Sequence, residues 1–184
     1  MTNTHIFKPQ QKLTGKHLIL RPLVTSDFDA LFAVASDPVL WQQHPQSDRF
    51  KRPVFEEFFQ SAVASKAAYV VIDSTSVIII GSSRFNNPRL TESSIEIGWT
   101  FLARSHWGGD YNAELKDIML RFALPYFNHV YFCVGETNYR SQAAVKKLGA
   151  ELCDRKDSAR PGNVFYILTK ETYVGLEKYG KANT

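Results

Sequence analysis

The sequence predicts a mixed α/β (α+β) fold, a mixed sheet with helices packed on it. Three observations carry that reading. Apolar runs of period two interleave along the chain with amphipathic stretches of period 3.6. The 184 residues suit one domain, and with 44% of them apolar and 13% aromatic they can bury a sizeable core. Between Leu13 and Tyr173 no internal repeat, low-complexity tract or Pro/Gly/Ser linker divides the chain, so the expected domain is 13–173, with loose, flexible termini at 1–12 and 174–184.

The elements follow in order. Leu18–Pro22 reads as a strand ended by its proline, after which Ser26 or Asp27 caps a helix carrying Phe28, Leu31, Phe32 and Ala35 at helical spacing. Asp37-Pro38 breaks that helix. Beyond the polar segment QQHPQSDRFKR, Pro53 suits a first helical turn, and Val54, Phe58 and Val63 mark the inward face of a second helix. Ala68–Asp73 and Val77–Gly81 flank a Ser-Thr-Ser turn as a hairpin whose second run continues toward Arg84-Phe85. Ile95, Ile97, Trp99 and Phe101 alternate with Glu96, Gly98, Thr100 and Leu102, a strand with two distinct faces that sets Glu96 opposite the main apolar side. After SHWGGDYN, Leu115, Ile118, Met119 and Phe122 share one face of a helix that ends before Pro125. His129–Val134 is a buried strand. The next helix begins near Asn138, turns Ala144, Val145 and Leu148 inward, carries Lys146 and Lys147 in its last turn and stops at Gly149. Val164–Thr169 supplies a last strand.

Composition excludes several classes. Cys133 and Cys153 have neither C-x-x-C nor zinc-like spacing, which fits two reduced thiols and rules out a small disulfide scaffold. The polar N-terminus lacks an apolar run behind a basic start, and no window approaches the ~18 apolar residues of a spanning helix, so the expectation is a soluble cytoplasmic protein with no membrane partner. Net charge +4 and a pI near 9.0 favour anionic ligands. The basic residues are scattered and never interleave with aromatics as a nucleic-acid surface would require, so no nucleic acid is expected.

Two strand-to-helix junctions concentrate the chemistry, Trp107–Asn112 and Gly135–Ser141. A glycine pair before a helix lets backbone N–H groups converge on an anion. It is also an ordinary turn, and Asp110 as an N-cap would accept from the same amides and repel a phosphate. At the second junction Ser141 lies three residues before Ala144 and seven before Leu148, so its hydroxyl shares the buried stripe in the first turn. A first-turn serine bonded to its own backbone, with Asn138 as a plain N-cap, gives the same pattern.

These pieces together resemble the GNAT superfamily of acetyltransferases, in the branch of the RimJ/RimL-type ribosomal-protein N-acetyltransferases. The matching segments are LTGKHLILRPLVTSDFDAL, IIIGSSRF, IEIGWTFL, WGGDYNAELKDIML and NYRSQAAVKKLGA, which span nearly the whole chain in order. The resemblance implies a single GNAT domain with a mostly antiparallel sheet of six or seven strands, helices on both faces and splayed central strands. Acetyl-CoA would lie in the splay, as acyl donor, with Thr100, Phe101 and Leu102 along its pantetheine arm. The usual pyrophosphate signature, R/Q-x-x-G-x-G/A, falls on Trp107-Gly-Gly-Asp-Tyr-Asn112. Trp107 replaces the Arg or Gln, Asp110 the middle glycine and Asn112 the final small residue, in a W-G-G-x-Y-N variant. On this reading the turn is an anion site. Gly108 and Gly109 open it, the amides of Tyr111 and Asn112 reach the phosphate, the Asn112 side chain adds a donor and Lys116 a charge one turn on.

The resemblance also assigns the reaction, in which the thioester supplies the activation and no metal is required. The tyrosine that many members carry seven residues after the helix-start Asn is Val145 here, so Ser141, three after Asn138, becomes the acid for the departing thiolate, with Asn138 positioning the pantetheine amide or a water. Glu96 is the expected base, acting through a water. His44 is the rival base, since an unperturbed imidazole titrates near working pH. His106 is structural. Arg49, Arg84 and Phe85, with His44, line the acceptor cleft. The acceptor is a primary amine, on a small molecule or a protein N-terminus, and the resemblance is compatible with a homodimer. Two other classes stand beside this one: a non-catalytic ligand-binding module on the same scaffold, motivated by the altered turn and Val145, and an RNA- or ribosome-associated protein, resting on the basic pI alone.

Overall fold

A computed structural model of the chain describes residues 7–173; residues 1–6 and the expected tail at 174–184 lie outside the described residues. The strands are β1 (Leu13–Thr14), β2 (Leu18–Pro22), β3 (Ala68–Asp73), β4 (Ile79–Arg89), β5 (Ser94–Leu102), β6 (His129–Gly135), β7 (Glu151–Cys153) and β8 (Asn163–Thr169). The helices are α1 (Phe28–Ala35), α2 (Arg52–Ala64), α3 (Tyr111–Ala123) and α4 (Tyr139–Lys146). One sheet takes all eight strands in the order β1-β2-β3-β4-β5-β6-β8-β7. Every pairing is antiparallel except β5 with β6. The six runs legible as strands form its body, and the short β1 and β7 extend its two edges.

Strand alternation divides the core into two layers. Tyr69 and Val71 of β3 face a cluster built on Leu115, Met119 and Leu120 of α3, and Val145 of α4 joins the same layer. Ala68 and Val70, on the opposite side, meet Leu31 of α1 and Phe55 and Phe59 of α2. Helices thus cover both faces. The stripe of α2 buried most deeply is Phe55, Phe59 and Ala62, with the expected Val54, Phe58 and Val63 flanking it half-buried. Val77 and Ile78 lie outside β4 and are 74% and 61% exposed, because Val77 takes a left-handed φ of 60° in the hairpin turn. Phe7, in the segment expected to be loose, sets its ring 5.3 Å from Phe85 and 5.1 Å from Phe127.

The expected punctuation is present. Asn138 caps α4, its side chain accepting from the Ser141 amide at 3.2 Å, and Gly149 follows that helix with φ +90°. Asp27 does not cap α1; its carboxylate accepts from Arg21 at 2.7 and 2.8 Å and from the Val24 amide at 2.9 Å. Among the described residues no helix is long and apolar enough to cross a membrane.

The sheet is irregular in β5. Ser82 pairs with Phe101 but Arg84 with Gly98, so β5 holds one extra residue against β4. Trp99 takes φ +51° there, a β-bulge in left-handed backbone. The bulge resets the alternation read from sequence. Leu102, rather than Phe101, joins Ile95 and Ile97 in the α3 layer, and Phe101 turns to Trp41, Phe55 and Phe58 on the other.

Candidate active site

β5 and β6 pair over three residues only, Ser94 with His129, Ile95 with Val130 and Glu96 with Tyr131. Beyond Glu96 the two strands part. The flank of β5 from Ile97 onward then has no strand to pair with, and its backbone polar groups face a cleft instead. Two contiguous cavities fill that cleft, about 430 and 750 Å³, and Trp41, Thr100, Asn112, Asn138 and Ser141 line both. The smaller lies between the parted strands, with Glu96 and Arg160 at its far end; the larger runs past Phe101 and Leu102 to the glycine turn.

At the turn, Gly108 has φ +75° and an added Cβ would meet nothing within 4 Å, so the backbone there is open to a ligand. Asp110 occupies the N-cap of α3 without a side-chain capping hydrogen bond. Trp107 donates its indole N–H to the Leu102 carbonyl at 2.9 Å, and the Arg140 guanidinium lies 3.8 Å from its ring centroid. Arg140 also donates to the Leu40 carbonyl at 3.2 Å. Arg140 and Lys147 line the same cavity as Gly108 and Gly109. Tyr111, expected at the phosphate, lines neither cavity: its hydroxyl donates to Asp73 at 3.2 Å and draws the side chain away from the cleft, and His106 packs edge-on against its ring at 4.7 Å. A helix start, an open glycine turn and two cations fit an elongated anionic ligand.

At the other end both oxygens of Glu96 accept from Arg160, at 2.7 and 3.0 Å, and Arg160 also donates to Asp157 at 2.8 Å. Its bond to Glu96 and the pairing with Asp157 outweigh burial and raise the pKa of Arg160 above the ordinary arginine value. Cys133 lines the cleft as a thiol, pushed up to about 11 chiefly by burial. Lys116 sits beneath the cleft, 5% exposed, bonding Thr100 Oγ1 and lying 5.7 Å from the Phe132 ring. Burial alone lowers it to about 7. His44 is lowered to about 4, first by burial and then by the charge of Arg49.

The structure therefore brings Glu96, Thr100, Asn138, Ser141, His44 and Arg49 to the smaller cavity, and Phe101, Leu102, Trp107, Gly108, Gly109 and Asn112 to the larger. Lys116 reaches the strand gap rather than the glycine turn, because its α3 position points toward the sheet. Arg84 stacks behind Trp99, 4.0 Å from the ring centroid. Phe85 is not at the cleft: it is 1% exposed in the α3 core layer, paired across from Ile97 of the same layer. Arg140, Lys147 and Arg160 escape sequence reasoning. Arg140 and Lys147 have helical spacing as their only signal, and Arg160 comes from a loop, 154–162, with no motif.

Comparison with solved structures finds the same fold. An acetyltransferase of the GNAT family from Bacillus anthracis superposes with a TM-score of 0.72 at 17% identity, over 88% of this chain and 99% of that one. A GCN5-related N-acetyltransferase from Brucella melitensis gives 0.71 at 18%, over 89% and 80%. Mycobacterium smegmatis RimJ in complex with CoA-disulfide gives 0.66 at 15%, over 88% of each. Among curated proteins there is no sequence match. The family model of the acetyltransferase (GNAT) domain matches residues 17–151, from β2 to the start of β7, and on that match the chain belongs to the GNAT acetyltransferase family.

Proposed function

We propose that this protein is an acetyl-CoA-dependent N-acetyltransferase that moves an acetyl group to a primary amine, on a small molecule or a protein N-terminus, by direct attack. The observation that carries the reading is the parting of β5 and β6 just after Glu96, which leaves a cleft with an anion-binding turn at one end and a carboxylate at the other. That RimJ from M. smegmatis is similar in fold and is in complex with CoA-disulfide supports the choice of donor.

The thioester supplies an activated acetyl group, so the residues need only bind, orient and move protons. Gly108, Gly109 and the Asn112 amide receive the pyrophosphate, with Arg140 and Lys147 beside them. Thr100, Phe101 and Leu102 offer the free strand edge to the pantetheine arm. Asn138 fixes the first turn of α4 and so holds the Ser141 hydroxyl where the two cavities meet. The acceptor enters beside Glu96, which attracts its ammonium and takes a proton through a water. The amine nitrogen then attacks the carbonyl carbon. The C–N bond forms, the C–S bond breaks, and the sulfur takes a proton from Ser141 Oγ, which regains one as the nitrogen sheds its remaining extra proton on becoming the amide. His44, lowered to about 4 by burial and the charge of Arg49, is neutral at working pH and so offers no charge to attract the ammonium, which Glu96 does. Val145 is 5% exposed and leaves Ser141 as the hydroxyl on that face of α4.

The test is release of free CoA thiol on mixing with acetyl-CoA and a panel of amines, with intact-protein mass recorded alongside. Amine-dependent release with no acetylated protein accumulating supports direct attack. Release that no amine accelerates removes the acetyltransferase reading, and an acetylated protein formed without amine and discharged by it replaces direct attack with a two-step route.

A further inference from the structure

The acceptor end of the cleft holds more donors than the protein uses. Arg49 and Arg84 are 4% and 6% exposed, and among the described residues neither forms an ion pair with a carboxylate. Arg49 donates to Gln46 Oε1 and is stacked between Trp41 and Phe58, 5.1 and 4.5 Å from their ring centroids. Arg84 donates to Ser61 Oγ at 3.2 Å. The Nε–H groups of both are buried without an acceptor. Each guanidinium feels a nearby carboxylate, Asp48 for Arg49 and Glu96 for Arg84, but Glu96 has both oxygens committed to Arg160.

His44 adds to the surplus. The Gln46 amide donates to His44 Nδ1 at 2.9 Å, so the neutral ring carries its proton on Nε2. Arg49 Nη1 lies 3.3 Å from that Nε2. Arginine has no acceptor to offer, and two N–H donors therefore converge on one place with nothing between them. Buried donors and a buried positive charge in this state are costly until an acceptor with negative charge arrives. Aromatic stacking offsets part of the cost of burying Arg49 and fixes its planar fork, the geometry that grips carboxylate or phosphate in two bonds.

We propose that the acceptor amine carries an anionic group, a carboxylate or a phosphate, which docks on the Arg49 guanidinium beside the His44 Nε2–H, while its amine faces Glu96. The inference rests on the acetyl-transfer reading of the cleft and narrows its substrate class. Arg49 lines the same wall as the Glu96–Arg160 pair, so among the described residues it is the one guanidinium on that wall without a carboxylate partner, and at about 430 Å³ the cavity takes a small zwitterion or the first residues of a peptide. Arg84, behind Trp99, adds positive potential without reaching the cavity wall.

Three matched pairs test it: β-alanine against β-alaninamide, phosphoethanolamine against ethanolamine, and the C-terminally amidated peptide Ser-Asp-Phe against Ser-Asn-Phe amide. In at least one pair the anionic member is acetylated with kcat/KM about 10- to 100-fold above its neutral partner, the worth of a charge-assisted hydrogen bond or two. The winning pair tells a free carboxylate, a phosphate and a peptide acceptor apart. Arg49→Gln abolishes the preference through KM, and Arg49→Lys keeps part of it; stabilisation of each variant by acetyl-CoA shows that it is folded. Neutral members used as well as anionic ones in all three pairs overturn the proposal. A second readout needs no turnover: glutarate and inorganic phosphate are titrated against the fluorescence of the tryptophans, two of which, Trp41 and Trp99, line the cavity. Saturable change with either anion, lost in Arg49→Gln, supports the anion site even if no amine is acetylated, in which case the acetyl-transfer reading fails by itself. No change with either anion overturns the site even if acetyl transfer is found.

Discussion

Lys116 sets a pH dependence that needs no ligand to observe. Its amine is buried against Thr100 and Phe132, and burial brings its pKa from 10.5 to about 7. In the unfolded chain a lysine keeps its proton to about pH 10. Between pH 7 and 10 the unfolded state therefore binds a proton the folded state has released, and stability rises with pH by up to about 1.4 kcal/mol per unit. Below pH 7 both states are protonated and the cost of burying the charge is present in full. Lys116→Met removes that cost, so its stability advantage over the parent in urea unfolding is largest at pH 6 and shrinks toward pH 10; an advantage that stays flat with pH contradicts the burial argument. Ser141→Ala is expected to lower kcat about 10²-fold while the KM for acetyl-CoA stays within about twofold, as loss of a general acid does. An unchanged kcat takes Ser141 out of the chemistry. Glu96→Gln removes the attractor for the ammonium and the path for its proton, so kcat/KM for the amine falls about 10²-fold and most steeply at low pH, where more of the amine is protonated. A pH profile that keeps the parent's shape makes Glu96 a structural anchor for Arg160.

At the scale of elements, the bulge in β5 and Gly81, which pairs with Leu102 just beyond it, belong together. A Cβ on Gly81 would stand 2.0 Å from the Phe101 carbonyl oxygen and 2.9 Å from Leu102 Cδ2, so β4 passes β5 there only because the residue is glycine. Gly81→Ala pushes the strands apart beside the cleft and is expected to destabilise by about 1–3 kcal/mol in denaturant unfolding, with weaker acetyl-CoA binding. Stability equal to the parent's would mean that the bulge absorbs the methyl. The elements themselves were legible where local chemistry decides: Pro125 and Gly149 stop helices, Asn138 starts one, and Ile95 and Ile97 alternate as half of a strand should. The bulge was not legible, because a tryptophan at φ +51° is held by packing against Arg84 and not by its own preference. The rotated stripe of α2 has the same cause, since it hinges on what the neighbouring layer fills, which a period in the sequence does not record. The turn at Val77 is set locally, by Asp73 accepting from the Thr75 and Ser76 amides.

Over the whole molecule, the cleft exists because the sheet changes direction at β5 and β6, its one parallel pair, and those strands are joined through α3 rather than by a hairpin. Glu96, Ser141 and the glycine turn were visible in the sequence as strand, helix start and glycine pair, and the family resemblance brought them to one cleft. Arg160 was invisible for a topological reason. The antiparallel pairing of β6 with β8 swings the loop at 154–162 back over β5, and only then does a guanidinium reach Glu96, 64 positions away. The surplus at Arg49 was likewise unreadable, since it depends on a histidine tautomer set by the Gln46 amide. The central claim, that this cleft takes acetyl-CoA, is tested most directly by thermal unfolding with and without acetyl-CoA, ATP serving as the control for phosphate binding alone. At about 100 times its dissociation constant the ligand stabilises by roughly 2.7 kcal/mol, a rise of about 5–10 °C for a chain of this size, with none from ATP. An unfolding temperature unmoved by millimolar acetyl-CoA, or moved equally by ATP, would contradict it.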